Sequence, residues 1–178
     1  LPGPRCGVCA PNGDAQPIRP PDARDLFEGA PVVVAHAAMT ARRLGLHAPP
    51  RGPRWFDVLE LFAFVRPARF AAPSAVGLAQ ALGLAIPRAP AEQAASLHEA
   101  ARALLTELGA APTPSREEAI AQAETLVRAG WPWGVAVLAA LRSAPAGNMF
   151  RGSGLDVWTR LAEWEAEAPP GEPGSKPV

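Results

Sequence analysis

The chain has 178 residues, of which 48% are hydrophobic and 19% are charged, and its formal net charge is zero. This composition is typical of a folded globular chain rather than a disordered one, and the length is enough for one core with a small extension. No apolar run reaches the ~20 residues that a membrane-spanning helix needs, and we recognise no signal peptide. We therefore expect a cytoplasmic protein with no membrane contact.

The first predicted elements belong to a short sheet. Residues 5–10 and 15–19 flank Asn12-Gly13, a pair that favours the tight turn of a β-hairpin. A short helix is predicted over residues 22–28, and a strand over residues 31–36, where three consecutive valines indicate burial on both faces.

The only two cysteines, Cys6 and Cys9, lie in the first hairpin segment. A structural zinc site usually needs four ligands, and no second cysteine pair or suitably spaced histidine pair is present. A redox Cys-x-x-Cys pair would start a helix. We therefore interpret them as two small buried residues on a strand and predict no metal site.

The rest of the chain is predicted to be mostly helical. Apolar residues indicate helices over 37–44 and 57–65, and Ser74 caps a third helix over 74–82. The most secure helix carries five apolar residues on one face at spacings of three and four: Leu97, Ala101, Leu104, Leu105 and Leu108.

Three further helices are predicted beyond residue 110. A capping-box pattern at Ser115–Glu118 opens a helix that ends near residue 128, and another helix follows the Trp131-Pro132-Trp133 corner. The last begins near Ser153 and places four apolar residues on one side: Leu155, Trp158, Leu161 and Ala162. Residues 169–178 have the proline-rich composition of a linker.

The charges are unevenly distributed although they sum to zero. Residues 42–69 contain six arginines and only two acids, Asp57 and Glu60, whereas residues 91–168 contain ten acids and six arginines. Arginine donates paired hydrogen bonds to phosphate, so we select Arg42, Arg43, Arg51 and Arg54 as candidate DNA-binding residues. The alternatives are a solvated face, or pairing with the acidic half of the chain.

Several kinds of catalysis are excluded by missing motifs. The chain has no phosphate-binding Gly-x-x-x-x-Gly-Lys loop, no Gly-x-Ser-x-Gly elbow and no Gly-x-Gly-x-x-Gly turn, and its one lysine is Lys176. ATP hydrolysis of the P-loop kind therefore cannot take place in this segment.

Residues 32–108 resemble a 3′–5′ exonuclease domain of the DnaQ type that has lost its site. The family's histidine-asparagine motif reads His36-Ala37 here, its Asp-Thr-Leu segment reads Asp57-Val58-Leu59, and the His-x-x-x-x-Asp motif of its closing helix starts at His98. The resemblance implies a degenerate RNase H-like α/β fold with a short sheet, made of the hairpin and strand 31–36, and a mostly helical C-terminal half.

The positions that would hold metal in such an exonuclease lack carboxylates in this sequence. Two divalent ions need acids that converge from separate elements. Here the first hairpin strand has none, Ala37 replaces asparagine, and Arg102 or Ala103 stands near the last aspartate position. We expect Asp57 and Glu60 on one face of a single helix. Two acids on one helix cannot replace acids that converge from separate elements. The resemblance therefore implies no catalytic residue and no metal.

Longer phrases, including PVVVAHAAMTARRLGL and GLDVWTRLAEWEAEAPPGEP, resemble the N-terminal region of ATP-dependent DNA helicases of the DinG and XPD-like superfamily 2 group. That resemblance implies an exonuclease-like domain at 1–110, a helical extension at 111–168 and a linker at 169–178 toward a helicase motor. ATP and Mg²⁺ would belong to the motor, and no cofactor to this segment.

Three functions follow as hypotheses. The first is a non-catalytic accessory domain that docks the helicase motor and guides DNA weakly along the Arg42–Arg69 surface. The second is a metal-dependent exonuclease with an atypical site. The third is a protein-interaction or structural module. We interpret His36 as a histidine that is hydrogen-bonded at a strand end. We interpret the tryptophans as packing residues rather than as residues that stack on bases.

Overall fold

The computed structural model describes residues 6–10, 12–49, 55–111 and 113–143. The elements in these ranges run in the order β1 (Cys6–Cys9), β2 (Ala15–Ile18), α1 (Pro20–Gly29), β3 (Val32–Val34), α2 (Ala37–Arg43), β4 (Trp55–Asp57), α3 (Val58–Val65), α4 (Ala75–Leu82), α5 (Pro90–Gly109), α6 (Thr113–Arg128) and α7 (Gly134–Ser143). The α/β class is confirmed. No helix within these ranges is long and apolar enough to cross a membrane. The predicted helix from Ser153 and the linker 169–178 lie outside the described residues.

The strands form two separate sheets of two strands each. Strands β1 and β2 are antiparallel, and Gly13 takes a positive φ of 94° in the turn between them, as the Asn-Gly pair predicts. Strands β3 and β4 are parallel, with Val32 opposite Trp55 and Val34 opposite Asp57. The expectation that the hairpin and strand 31–36 share one sheet is therefore wrong.

Strand β4 was not predicted from the sequence: its last residue, Asp57, is expected in the helix that follows, and Trp55 and Phe56 are expected in no element. Trp55 and Phe56 precede Asp57, and the helix itself starts only at Val58. Strand β3 is also less buried than predicted: Val34 is buried, but Val32 and Val33 are only partly so. The reason is that one side of this small sheet faces an open cleft.

The hairpin is held against the first turn of α5. A side chain at Gly7 would overlap the carbonyl oxygen of Pro90, so only glycine allows the strand to lie this close to the helix. Cys6 and Cys9 lie on β1, as predicted, and both are partly buried.

Most helix positions agree with the sequence, and two helices start earlier than predicted. Ser74 accepts a hydrogen bond from Gly77 N at 3.0 Å, and Gly83 ends α4 in the left-handed conformation, as expected. In contrast, α1 begins at Pro20 and α6 at Thr113, so Ser115 is a buried residue inside its helix rather than a cap. Proline fits the first turn of a helix, which explains why α1 can start at Pro20.

Two hydrophobic clusters fill the molecule. The large core joins helices α3 to α7, and its buried members are Val58, Leu61, Phe62, Val65, Ala71, Leu78, Ala100, Ala101, Leu104, Leu108, Ala119, Ala123, Trp133, Val137 and Leu141. The small cluster joins α1, α2, β3 and β4, and its buried members are Ala23, Val34, Ala41, Leu44 and Trp55. The large core includes residues on both sides of position 110, so its packing draws no boundary there. The division at 110 stays a prediction.

Candidate functional site

The candidate site lies where the parallel strands β3 and β4 end. Because the strands are parallel, their carboxyl ends meet at one edge, and each leads directly into a helix. His36 lies just before α2, and Asp57 is the last residue of β4 and the cap of α3. His36 and Asp57, which are 21 positions apart in sequence, are thus neighbours at the kind of edge where ligands bind in open α/β sheets.

Both oxygens of the Asp57 carboxylate accept hydrogen bonds from backbone amides. One oxygen accepts a hydrogen bond from Ala37 N at 2.7 Å, and the other accepts from Leu59 N at 2.9 Å and Glu60 N at 3.3 Å. Asp57 is only 5% exposed. This single side chain therefore binds the first turns of both α2 and α3 and holds the two strand ends together.

His36 lies beside this carboxylate without bonding to it. Its Nδ1 is 4.0 Å from Oδ2 of Asp57, which is longer than a hydrogen bond, and Nδ1 is buried with no hydrogen-bond partner among the described residues. The expectation of a hydrogen-bonded histidine is thus corrected. The backbone N–H of Ala37, and not the imidazole of His36, donates the hydrogen bond to Oδ2 of Asp57.

Glu60 is the second carboxylate at this edge and is only loosely held. It accepts one hydrogen bond, from Trp131 Nε1 at 3.1 Å. Partial burial raises the pKa of Glu60, and the nearby charge of Asp57 raises it further, while the bond from Trp131 and the neighbouring His36 act in the opposite direction. Asp57 and Glu60 do not share a helix face as expected, because Asp57 ends the strand.

The Trp131-Pro132-Trp133 corner braces the edge from behind. Trp133 is 4% exposed and donates a hydrogen bond from Nε1 to the carbonyl oxygen of Asp57 at 2.6 Å. Its ring meets that of Phe56 edge to face, with centroids 5.1 Å apart. These two tryptophans are packing residues, as predicted.

A cleft of about 300 Å³ opens beside His36. It lies between β1, β3, α2 and the first turns of α4 and α5, and its walls combine the valines of β3 with the polar side chains of His36, Arg43, Gln93 and His98. Both cysteines also line it, and its lining residues include no Asp or Glu. Such a cleft suits an uncharged or anionic ligand better than a cation.

No three side chains of His, Cys, Asp or Glu come together as a possible metal site within the residues that the structure describes. Backbone amides already make three of the roughly four hydrogen bonds that the two oxygens of Asp57 can accept. Neither Asp57 nor Glu60 lines the cleft, so the cleft and the carboxylates do not form one acidic pocket.

The selected arginines are only partly brought together. Arg42 and Arg43 are exposed in the last turn of α2, and Arg43 reaches the cleft. Arg51 and Arg54 fall outside the described residues. Arg66 is used internally: it pairs with Glu107 at 3.0 Å and donates to the carbonyl oxygen of Ala81 at 3.0 Å. At Arg66 the alternative of pairing with the acidic half is therefore correct.

Sequence reasoning missed the role of Asp57, although a signal was present. The run Asp57-Val-Leu-Glu60 has the spacing of a helix-start pattern, and the aromatic pair before it is typical of a strand.

Comparisons of the chain with protein-family models, with curated proteins and with solved structures find no match.

Proposed function

We propose that this chain is a non-catalytic accessory domain of an ATP-dependent DNA helicase, built on a degenerate RNase H-like exonuclease scaffold. Its role is to dock the motor and to guide a DNA strand past the end of α2. The helicase identity rests on the resemblance of the sequence phrases, and the loss of catalysis rests on the geometry of the strand ends.

The observation that carries the proposal is the use of Asp57. A two-metal exonuclease needs carboxylate oxygens that are free to bind metal. At this edge the one buried carboxylate accepts three backbone amide hydrogens instead, and the neighbouring acid, Glu60, bonds to Trp131. The carboxylates stabilise the scaffold, which favours a binding or docking role over cleavage.

The guiding role is supported by Arg42, Arg43 and the acid-free cleft. Both guanidinium groups lie at the exposed C-terminal end of α2, and Arg43 connects that end to the cleft wall that contains His36. A phosphate backbone that passes this point would meet positive charge and no carboxylate from the cleft.

DNA binding tests the guiding role. We expect the chain to bind a fluorescent single-stranded oligonucleotide at low salt, and Arg42→Glu/Arg43→Glu to weaken binding by about tenfold or more, with a salt slope smaller by roughly one to two. Arg102→Glu is the matched control, since Arg102 is exposed on α5 and does not line the cleft. No binding by the unmodified chain at low salt would leave the docking role alone.

Incubation of single-stranded DNA with Mg²⁺ or Mn²⁺ tests the exonuclease alternative. We expect intact DNA. Degradation that disappears in Asp57→Asn would overturn the non-catalytic proposal and would assign this edge as a metal site.

The coding sequence beyond Val178 tests the helicase identity. A motor with a Gly-Lys-Thr loop and a DEAH-like box in the same frame supports it, and a stop codon directly after Val178 contradicts it. In the second case the interaction-module alternative gains, and a pull-down with the isolated chain would search for its partner.

A further inference from the structure

An apolar groove lies between α3 and α6, and no other part of the described chain covers it. It has a volume of about 520 Å³ and is lined by Phe64, Ala121, Gln122, Thr125 and Leu126. The α6 members follow the spacing i, i+1, i+4 and i+5, so they form one continuous side of that helix. Phe64 also contacts Trp131, with ring centroids 5.2 Å apart, which fixes the floor of the groove.

We infer that this groove is the docking site for residues 153–168 of the same chain. The sequence predicts a helix there with Leu155, Trp158, Leu161 and Ala162 on one side. A helix with a single apolar side is stable in water only when that side is buried. The groove offers an apolar surface of the complementary kind.

The connection is long enough. The described chain ends at Ser143, the last residue of α7, and Ala140 of that helix lies against Gly109 at the end of α5, close to where α6 begins. The nine residues from 144 to 152 span up to about 30 Å when extended. The groove residues lie eight to thirteen positions into α6, which is roughly 12–20 Å along its axis.

The lengths also match. Residues 153–168 would form a helix of roughly 24 Å, and α6 has 16 residues and the same length. Docking would cover the exposed side of α6 and would place the start of the 169–178 linker at a fixed point on the domain, which a free segment would not do. The inference does not depend on the helicase proposal.

Hydrogen exchange of the 178-residue chain tests the docking. We expect backbone amides of residues 153–168 to exchange about tenfold or more slowly than unstructured amides. Ala121→Glu places a carboxylate in the groove at an exposed helix position and should abolish that protection, while the amides of α5 and α6 stay protected.

Val135→Glu is the matched control. Val135 is 73% exposed on α7, outside the groove, so the same kind of charge should leave the protection of 153–168 unchanged. Trp158→Ala removes an apolar side chain of the docked segment. It should abolish the protection of residues 153–168 while the amides of α6 stay protected.

Three results would overturn the inference. One is fast exchange of residues 153–168 in the unmodified chain. The second is protection that survives both Ala121→Glu and Trp158→Ala. The third is protection that increases with protein concentration together with a dimer in sedimentation, which would make a second copy the occupant.

Discussion

The two hydrophobic clusters differ in what holds them together. In the described residues the large core buries fifteen residues, thirteen from five helices and two, Ala71 and Trp133, from the connections between them, and several of the fifteen are large and fully inaccessible. The small cluster buries five residues around two three-residue strands, and two of those five are alanines. Apolar burial of that size stabilises the strand–helix region far less than the helical core.

The strand–helix region compensates with polar interactions at its edge. Asp57 joins the first turns of α2 and α3, and Trp133 ties the same residue to the helical core through its backbone carbonyl. One buried carboxylate therefore stabilises the region of the small cluster, whereas close apolar packing stabilises the large core.

A matched pair of leucine truncations should show the largest difference. Leu104 in the large core is fully buried, and Leu44 in the small cluster is 8% exposed. Leu104→Ala should lower the free energy of unfolding by about 2–5 kcal/mol. Leu44→Ala should cost less, because its site is shallow and can collapse. Urea denaturation followed by far-ultraviolet circular dichroism measures both.

Equal losses in the two variants would contradict the comparison. Hydrogen exchange sharpens it: Leu44→Ala should speed exchange in α2 and leave α5 protected, whereas Leu104→Ala should speed exchange in both.

Removal of the Asp57 carboxylate should have the next largest effect. Asp57→Ala leaves three backbone amides at two helix starts without their acceptor, for a loss of about 2 kcal/mol or more in the free energy of unfolding. Asp57→Asn keeps one oxygen and should lose less. Ser74→Ala is the reference for an ordinary single cap, since the side chain of Ser74 caps α4 by accepting one hydrogen bond, from Gly77 N. A loss in Asp57→Ala no larger than in Ser74→Ala would show that Asp57 does not brace the edge.

The parts of this fold that sequence predicts are those with a local cause. Asn12-Gly13 dictates its turn, Ser74 and Gly83 bound α4, and the leucine spacing of α5 identifies its buried side. Strand β4 could not be found in this way, since three residues carry too little periodicity and only their pairing with β3 makes them a strand. The position of His36 beside Asp57 depends on that same pairing, so sequence patterns alone do not predict that the two residues are neighbours.

The smallest expected effect is the pH dependence of stability that Glu60 causes at the ends of β3 and β4. Since the pKa of Glu60 is raised in the folded state, the folded protein binds more protons than the unfolded one just above the ordinary glutamate pKa of about 4.3. Stability should therefore fall as the pH rises through that window and then level off. Glu60→Gln should remove this fall in stability and can still accept the hydrogen bond from Trp131.

Glu92 should show a pH dependence of the opposite sign. Hydrogen bonds from the backbone amides of Arg88 and Ala89 lower its pKa, so its contribution to stability is present above the ordinary glutamate pKa and is lost as the pH falls through the lowered pKa. Urea midpoints between about pH 3 and pH 7 for Glu60→Gln and Glu92→Gln measure both slopes. If Glu60→Gln leaves the slope above pH 4.3 unchanged, burial at the edge of β3 and β4 is not what makes Glu60 differ from a solvated acid.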